Sequence, residues 1–245
     1  MPYMSVSLEN ERVLVAGASS GIGRATAVLF AHAGARVVAS ARRDDRLREL
    51  RKAMAGEGRS LEIVAADAGD PADMERLAET AARLLGGVDI LVYATGTNIP
   101  DRALTRLTRE IWNMMIQVNL NGAYYLTRAL LPAMRAARKG HLIYVSSISG
   151  KVPDISGAAY QAAKRGLLGL AHAIRVEEKD NGIRTCVVCP GLVRTELIDK
   201  RPMKTPDEVL AKAMEPEDVA EIILDVARLH PRAAVPELEI LPTYL

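Results

Sequence analysis

The chain has 245 residues, of which 49% are apolar and 25% charged, so it contains enough apolar material for one large domain. Its 32 basic and 30 acidic residues are well mixed and leave a net charge of +2, which argues against nucleic acid or an anionic membrane surface as a partner. No apolar stretch has the roughly 18 residues of a membrane span, and residues 1–5 lack the basic start and apolar run of a signal peptide. We therefore expect a soluble, cytoplasmic protein with a single domain over residues 1–245.

Short β-rich runs alternate with amphipathic helical runs along the chain. Strands are predicted at residues 12–16, 36–40, 61–65, 90–94, 141–145, 185–189 and 237–241. Helices are predicted at residues 22–32, 45–55, 73–85, 108–138, 158–178 and 217–229. The alternation predicts an α/β fold of the Rossmann type, a doubly wound parallel sheet of about seven strands with helices on both faces. Ligands of such sheets lie beyond the carboxyl ends of the strands, so we expect the functional residues in those loops.

The loop after the first predicted strand is rich in glycine and serine. It reads Gly17-Ala18-Ser19-Ser20-Gly21-Ile22-Gly23 and leads directly into a predicted helix. Glycine allows a ligand to approach the backbone closely, and a helix N-terminus attracts phosphate, so this position favours a nucleotide site. A plain tight turn is the alternative, because the spacing differs from the common Gly-x-Gly-x-x-Gly fingerprint.

Two cysteines form the Cys-x-x-Cys pair Cys186 and Cys189, which is a spacing found in redox and zinc sites. Both lie in a predicted buried strand, where residues three apart point to opposite faces of the sheet. The chain has no second cysteine pair, and its four histidines are scattered without ligand spacing. We therefore predict no metal site.

Tyr160 and Lys164 are four residues apart in a predicted helix and should share one of its faces. A nearby ammonium stabilises the phenolate, so we expect it to lower the tyrosine pKa from about 10 towards the working pH. A phenol tuned in this way can donate or accept a proton. Ser147, at the end of a predicted strand, offers a hydroxyl for a substrate oxygen. Alone, however, the Tyr–Lys pair is also compatible with an ordinary helix surface.

Taken together, the motifs resemble those of the short-chain dehydrogenase/reductase family over nearly the whole chain. In the family's order they are Gly17-x-x-x-Gly21-x-Gly23, Asp67, Asn119, Ser147, Tyr160-x-x-x-Lys164 and Pro190-Gly191. The resemblance implies an oxidoreductase that transfers a hydride between NADP(H) and a small carbonyl or secondary alcohol. It implies that Ser147 orients the substrate oxygen and that Tyr160 acts as acid or base. Lys164 would tune Tyr160 and hold the nicotinamide ribose, and Asn119 would support a proton-relay water.

The resemblance also implies a set of cofactor contacts. The acid that usually follows the second strand in NAD-binding relatives is replaced by Ala41, and Arg42 comes next. Likeness to the NADP-preferring members makes Arg42 the main ligand of the 2′-phosphate, with Ser19 or Arg43 assisting. The expected cofactor-binding residues are Gly17, Ser19, Ser20, Gly21, Ile22, Gly23, Arg42, Arg43, Asp67, Ala68, Ala94, Gly96, Tyr160, Lys164, Pro190, Gly191, Val193 and Thr195.

Several of these assignments have plain structural alternatives. Arg42 and Arg43 could be solvated charges at the start of a polar loop, Asp67 could be a turn residue, and Asn119 could merely bend its helix. The segment Tyr93-Ala94-Thr95-Gly96 departs from the family's usual Asn-Asn-Ala-Gly, which predicts adjusted packing. A dinucleotide-binding sensor or scaffold with little turnover therefore stays open as a second hypothesis, and an epimerase or dehydratase on the same fold as a third.

Further along the chain, the sequence indicates how substrate and partner subunits are accommodated. Residues 97–101, 148–157 and 192–212 are candidate substrate walls, and the last of these is long enough to act as a lid.

Small residues on one side of the Tyr160 helix predict close packing against another helix; they are Ala163, Gly166, Gly169 and Ala173. Together with the family resemblance they predict a homo-oligomer, a tetramer before a dimer. The alternative is that this face packs on the protein's own sheet.

Overall fold

The structure is a computed structural model that describes residues 6–244, so the prediction about residues 1–5 lies outside the described range. Within that range the chain forms seven strands. They are β1 (Arg12–Ala16), β2 (Arg36–Ala41), β3 (Glu62–Ala65), β4 (Ile90–Tyr93), β5 (Gly140–Val145), β6 (Ile183–Pro190) and β7 (Glu237–Ile240). All are parallel and form one sheet in the order β3-β2-β1-β4-β5-β6-β7.

Helices connect the strands. They are α1 (Gly21–His32), α2 (Asp44–Gly56), α3 (Pro71–Leu85), α4 (Arg109–Ile116), α5 (Gly122–Ala137), α6 (Ala158–Glu178), α7 (Asp207–Leu210) and α8 (Pro216–Ala227). Short 3₁₀ turns lie at Leu104–Arg106, Ile148–Gly150, Lys179–Asn181 and Ile198–Lys200. The predicted fold class is confirmed, and the predicted strand ends are correct to within one or two residues.

Two apolar cores cover the two faces of the sheet. On β1, Val13 and Val15 pack into one core with residues of α1, α2 and α8. Leu14 and Ala16 pack into the other, with residues of α3, α5 and α6. This alternation is the two-residue period of a strand that is buried on both faces.

The strand order reverses between β1 and β4, because the chain passes from β3 at one edge back to the far side of β1. Loops that leave these two neighbouring strands therefore diverge and open a crevice at the carboxyl edge of the sheet. Helix α3 is fixed within this crossover by its ends. Asp70 caps it by accepting a hydrogen bond from the Ala72 amide, and Gly86 ends it in the left-handed conformation with φ of 79°.

The helix predicted at residues 108–138 is present as a continuous helical segment from Arg109 to Ala137, but it is not α-helical throughout. A turn of π-helix at Gln117–Asn121 separates α4 from α5. The Tyr93 hydroxyl donates to the carbonyl oxygen of Val118 over 2.8 Å, and a Cβ on Gly122 would lie 2.4 Å from that hydroxyl oxygen. The widened turn thus accommodates a side chain that enters from β4. Single π turns of this kind are frequent at functional sites.

Cys186 and Cys189 lie in opposite cores, as the strand spacing predicts. Among residues 6–244, no group of His, Cys, Asp and Glu has an arrangement that could hold a metal ion. In the same range no helix is long and apolar enough to cross a membrane.

The small residues of α6 are divided between the interior and the surface of the protomer. Ala163 is buried, and a Cβ on Gly166 would lie 2.7 Å from Leu120 of the same chain. Gly169 and Ala173 are exposed. Half of the predicted packing surface is therefore already used inside the protomer.

Candidate active site

A cavity of about 460 Å³ lies at the carboxyl ends of β1 to β6. Its walls contain every predicted catalytic and cofactor residue except Asn119. They also contain parts of all three predicted substrate walls, from Thr97 and Asn98 on one side to Lys200 and Arg201 on the other. The fold therefore gathers residues from Ala16 to Arg201, which are 185 positions apart in the chain, into one site.

The loop at residues 17–23 leaves no room for side chains at its glycines. Gly17 has φ of +95°, and a Cβ there would lie 2.7 Å from the backbone of Ala94 and Thr95. A Cβ on Gly23 would lie 2.3 Å from the carbonyl oxygen of Gly17. Both contacts are shorter than any tolerated packing distance, so the tight approach of β1, α1 and the β4 loop requires glycine at these positions.

The N-terminus of α1 faces the same cavity with free hydrogen-bonding capacity. Its N-cap residue, Ser20, makes no side-chain capping bond, and its first turn has no acidic residue. The unsatisfied amides of a helix start carry partial positive charge and bind phosphate oxygens. Loop and helix together fit the pyrophosphate of a dinucleotide.

The two arginines after β2 differ in their contacts within the protein. Arg43 donates to the Ser19 hydroxyl over 3.0 Å and to the Ser20 hydroxyl over 2.8 Å, and it pairs with Glu196 at 2.8 Å. Arg42, which the sequence suggested as the main phosphate ligand, is largely exposed and lies 3.8 Å from a carboxylate oxygen of Asp67. Arg43 is thus the guanidinium that is held beside the glycine-rich loop at residues 17–23. Glu196 was not predicted as a site residue, because only the fold brings it next to Arg43.

Asp67 adopts the turn role that the sequence left open and still lines the cavity. Its Oδ1 accepts the Gly69 amide at 2.8 Å, closing a tight turn after β3. Its Oδ2 faces Arg42.

Tyr160 and Lys164 lie on the cavity face of α6 and are almost fully buried, with 7% and 3% of their surfaces exposed. The Lys164 ammonium donates to the carbonyl oxygen of Val145 over 3.0 Å. Burial lowers the pKa of Lys164 to about 8, because the charged form loses its hydration. The Ser146 hydroxyl donates to the Lys164 carbonyl oxygen over 2.8 Å, which fixes α6 to the end of β5.

The expected lowering of the Tyr160 pKa is not present in this structure. Burial raises the pKa of Tyr160 to about 12, and a hydrogen bond from Ser147 opposes this rise only in part. The negative charge of Asp154 raises the pKa further, whereas the positive charge of Arg102 lowers it. Desolvation has the largest effect on this pKa because the phenol lies in the protein interior. The hydrogen bond of the Lys164 ammonium goes to a backbone carbonyl and not to the phenol.

Asn119 lies behind the cavity wall and connects Thr97, in that wall, with Met115 on α4. Its Oδ1 accepts the Thr97 amide at 2.9 Å, and its Nδ2 donates to the Met115 carbonyl oxygen over 2.8 Å. A Cβ on Gly96 would lie 3.2 Å from the Lys164 ammonium and 3.3 Å from Asn119 Oδ1. Asn119 and Lys164 therefore flank Gly96, and the π turn brings the asparagine there.

The segment Tyr93-Ala94-Thr95-Gly96 begins at the last residue of β4 and packs against the π turn. Tyr93 is completely buried, with its hydroxyl bonded to the π turn, and burial raises the pKa of this phenol. Ala94 and Gly96 both line the cavity.

A serine and aspartate network behind Ser147 was not predicted. The Ser147 Oγ accepts the Ser149 amide at 3.1 Å, and the Ser149 hydroxyl donates to Asp154. Asp154 also accepts the amide of Ser156 at 2.8 Å. The only signal in the sequence is the density of hydroxyl residues around Asp154. The network fixes the loop that carries Ser147.

A family model described as short chain dehydrogenase matches residues 11–205. The chain belongs to the short-chain dehydrogenase/reductase family. The family resemblance carried by the motifs is thereby confirmed.

Individual relatives of this short-chain dehydrogenase/reductase extend over most of its length. The chain is 32% identical to the 3-oxoacyl-(acyl-carrier-protein) reductase FabG of Thermotoga maritima over 90% of this chain and 91% of the reductase. It is similar to a metagenomic short-chain oxidoreductase solved in complex with NADP, with a TM-score of 0.84, 32% identity and coverage of 98% and 100%. It is also similar to the closed form of serine dehydrogenase complexed with NADP+, with a TM-score of 0.83, 31% identity and 93% coverage of both chains.

Proposed function

We propose that this short-chain dehydrogenase/reductase transfers a hydride between NADP(H) and a carbonyl or secondary alcohol, with Tyr160 as the acid or base. One observation carries the proposal: Ser147, Tyr160 and Lys164 share a single cavity with a glycine-rich loop that fits a pyrophosphate. A dinucleotide seated on that loop would extend along the same cavity towards the phenol. Substrate, acid and cofactor would then meet at one point.

Different residues of the cavity would bind different parts of the cofactor. Residues 17–23 and the N-terminus of α1 would hold the pyrophosphate, and Asp67 and Ala68 would lie at the adenine. Lys164 would bond the nicotinamide ribose, while Gly191, Val193 and Thr195 would border the nicotinamide. When bound, NADP(H) supplies the hydride in reduction and takes it up in oxidation.

NADP(H) is proposed over NAD(H) because two guanidiniums, near Asp67 and Glu196 respectively, lie at the place of the 2′-phosphate. Arg42 and Arg43 both line the cavity there, and Ser19 is bonded to Arg43. A guanidinium matches the geometry of phosphate oxygens. The two solved relatives complexed with NADP and NADP+ support the same choice.

Proton transfer is the part that the side chains perform. With a pKa near 12, Tyr160 keeps its proton at neutral pH and can donate it to the oxygen of a carbonyl as the hydride arrives at carbon. Ser147 would donate a hydrogen bond to the same oxygen and orient it. In the oxidation direction Tyr160 must first lose its proton, which the hydrogen bond with Ser147 and the positive charge of Arg102 would favour.

We propose further that residues 1–245 act as one unit and that residues 192–212 form its substrate lid. The base of this segment is closed by a bridge between Val193 and Met214, in which the Arg194 amide donates to the Met214 carbonyl oxygen over 2.8 Å. Its tip is joined to the opposite wall, since the Lys200 ammonium donates to the Thr97 hydroxyl over 2.8 Å. A segment with a fixed base and a tip held by few bonds can open and close.

The test is NADPH oxidation with a panel of simple ketones and diketones, run beside a titration of NADPH binding. We expect both binding and turnover, with turnover dependent on Tyr160. Tight NADPH binding without turnover of any carbonyl would favour the sensor or scaffold hypothesis instead.

A further inference from the structure

The substrate end of the cavity contains three cationic side chains from two different loops. Arg102 lies on the loop after β4, and Lys200 and Arg201 lie on the proposed lid. Among the described residues, ten other arginines form ion pairs with carboxylates, but none of the ion pairs includes Arg102, Lys200 or Arg201. Positive charges that line one cavity and have no ion-pair partner favour the binding of an anion.

The two loops hold these cations in place through neutral partners. Arg102 donates from Nε to the Ile99 carbonyl oxygen over 3.0 Å and from Nη2 to the carbonyl oxygen of Lys200. Lys200 donates to Thr97, and Arg201 donates to the Thr205 hydroxyl over 3.1 Å. A guanidinium has five N–H donors, so each arginine keeps several for a ligand.

Arg102 is held close to the reacting end of the cavity. It packs against Gly157, the residue that precedes α6, where φ is +90° and a Cβ would lie 2.7 Å from the Cβ of Arg102. Its positive charge lowers the pKa of the Tyr160 phenol. Burial, together with the charge of Arg201, lowers the pKa of Arg102 itself. Repulsion between the two guanidiniums would be relieved by an anion placed between them.

Asp154 is the carboxylate that also acts on Arg102, and it is already engaged. Its charge raises the pKa of Arg102, but its oxygens accept hydrogen bonds from Ser149 and Ser156. It therefore leaves the donors of Arg102 and Arg201 available to a ligand.

We infer that this enzyme acts on short oxo acids or hydroxy acids, whose carboxylate is bound by Arg102 and Arg201 with help from Lys200 while the reacting carbon faces Tyr160. The inference rests on the proposed function and names its substrate class. A carboxylate suits the planar donor fork of arginine.

Paired acids and esters test the inference. We would measure NADPH oxidation with acetoacetate and levulinate and with their methyl esters, which keep the carbonyl and remove the charge. The expected result is a kcat/KM at least about tenfold higher for each acid, arising mainly in KM. Arg102→Gln and Arg201→Gln should each reduce kcat/KM for the acids about tenfold more than for the esters. Equal use of acid and ester by the wild-type protein would overturn the inference while leaving the proposed function in place.

Arg106→Gln is the matched control, because Arg106 is exposed, pairs with Asp101 and lies outside the cavity walls. It should not change the preference for acids. Calorimetric titration of the NADP+-saturated protein with levulinate gives a second measurement that needs no turnover. Levulinate binding that Arg102→Gln abolishes supports the anion site even if no carbonyl is reduced. Absence of levulinate binding to the NADP+ complex would reject it.

Discussion

The Lys164 ammonium lies over the face of the Tyr160 ring, with Nζ 5.7 Å from the ring centroid, and its hydrogen bond goes to the Val145 backbone. The buried ammonium thus contacts the tyrosine ring and, through its hydrogen bond, the end of β5. Two pKa values follow from the burial, about 8 for the lysine and about 12 for the tyrosine. They place the resting site in the state that can donate a proton, so reduction should be favoured at neutral pH and oxidation should require alkaline pH.

Replacing Tyr160 with Phe should remove the proton donor while keeping the ring. We expect NADPH-dependent reduction to fall by at least about 10²-fold with little change in the Kd for NADPH. Steady-state kinetics and a fluorescence titration measure the two quantities. Tyr124→Phe is the matched control, because Tyr124 is exposed on α5 and lies outside the cavity walls. Near-wild-type activity in Tyr160→Phe would remove Tyr160 from the mechanism.

Replacing Lys164 with Met should change how stability depends on pH. Because the pKa of Lys164 is lowered in the folded protein, the unfolded chain binds more protons, and the wild-type protein gains stability as pH rises from about 8 towards 10.5. Met has no such titration. The free energy of unfolding of the cofactor-free wild type should therefore rise relative to the variant by up to about 3 kcal/mol between pH 7 and pH 10.

Urea unfolding at several pH values measures this difference. Lys212→Met serves as the control, since Lys212 is exposed. A constant difference between wild type and Lys164→Met across that pH range would show that Lys164 is not desolvated as the structure indicates.

Charge reversal at the arginines after β2 should change cofactor choice. Arg42→Asp and Arg43→Asp should each weaken NADP binding relative to NAD by at least about tenfold, because one charge-assisted contact contributes roughly 1.5–3 kcal/mol. Kd values for both cofactors measure the effect. Arg48→Asp is the control, since Arg48 pairs with Asp44 on the exposed side of α2. Equal losses for the two cofactors would indicate a structural role, and a wild-type preference for NAD would contradict the proposed cofactor.

Asp89 joins the starts of β1 and β4 and should matter for stability. It is buried and accepts the Arg12 amide at 3.1 Å and the Arg12 Nε at 2.8 Å, which hold its pKa below the ordinary value despite the opposing effect of burial. Asp89→Asn should lower the free energy of unfolding by about 1–3 kcal/mol at pH 7.

Because its folded pKa is lowered, the contribution of Asp89 is present above an unfolded pKa near 4 and is lost as pH falls through the folded value. The gap between wild type and Asp89→Asn should therefore narrow in acid. Asp225→Asn, at an exposed position, should show neither effect. A gap that does not depend on pH would mean that packing, not charge, accounts for the loss.

We expect a homo-oligomer, with a tetramer favoured. Large apolar side chains are exposed on three neighbouring helices, namely Trp112 and Met114 on α4, Tyr124 on α5 and Val176 on α6. We expect these side chains to be covered in the assembly, because exposed apolar surface often marks an interface. Light scattering should return a multiple of 26.5 kDa, and Val176→Glu should reduce it. A mass of 26.5 kDa across micromolar concentrations would contradict this prediction.

The local pattern of residues was sufficient to predict the sheet, its helices and the motif residues. Strand and helix periods are set by backbone geometry, so the alternation along β1 and the glycines of residues 17–23 can be read from neighbours in the chain. The same is true of the opposite facing of Cys186 and Cys189.

Tertiary structure alone decided which charged groups meet and how far each is removed from water. The turn of π-helix at Gln117–Asn121 accommodates Tyr93, which enters from another strand. Arg43 pairs with Glu196, more than 150 residues further along the chain. The pKa of Tyr160 rises rather than falls because burial outweighs the hydrogen bond with Ser147 and the positive charge of Arg102, and burial is a property of the whole packed structure. Sequence spacing fixes which side chains are candidates, whereas desolvation and contacts between distant segments determine their charge states.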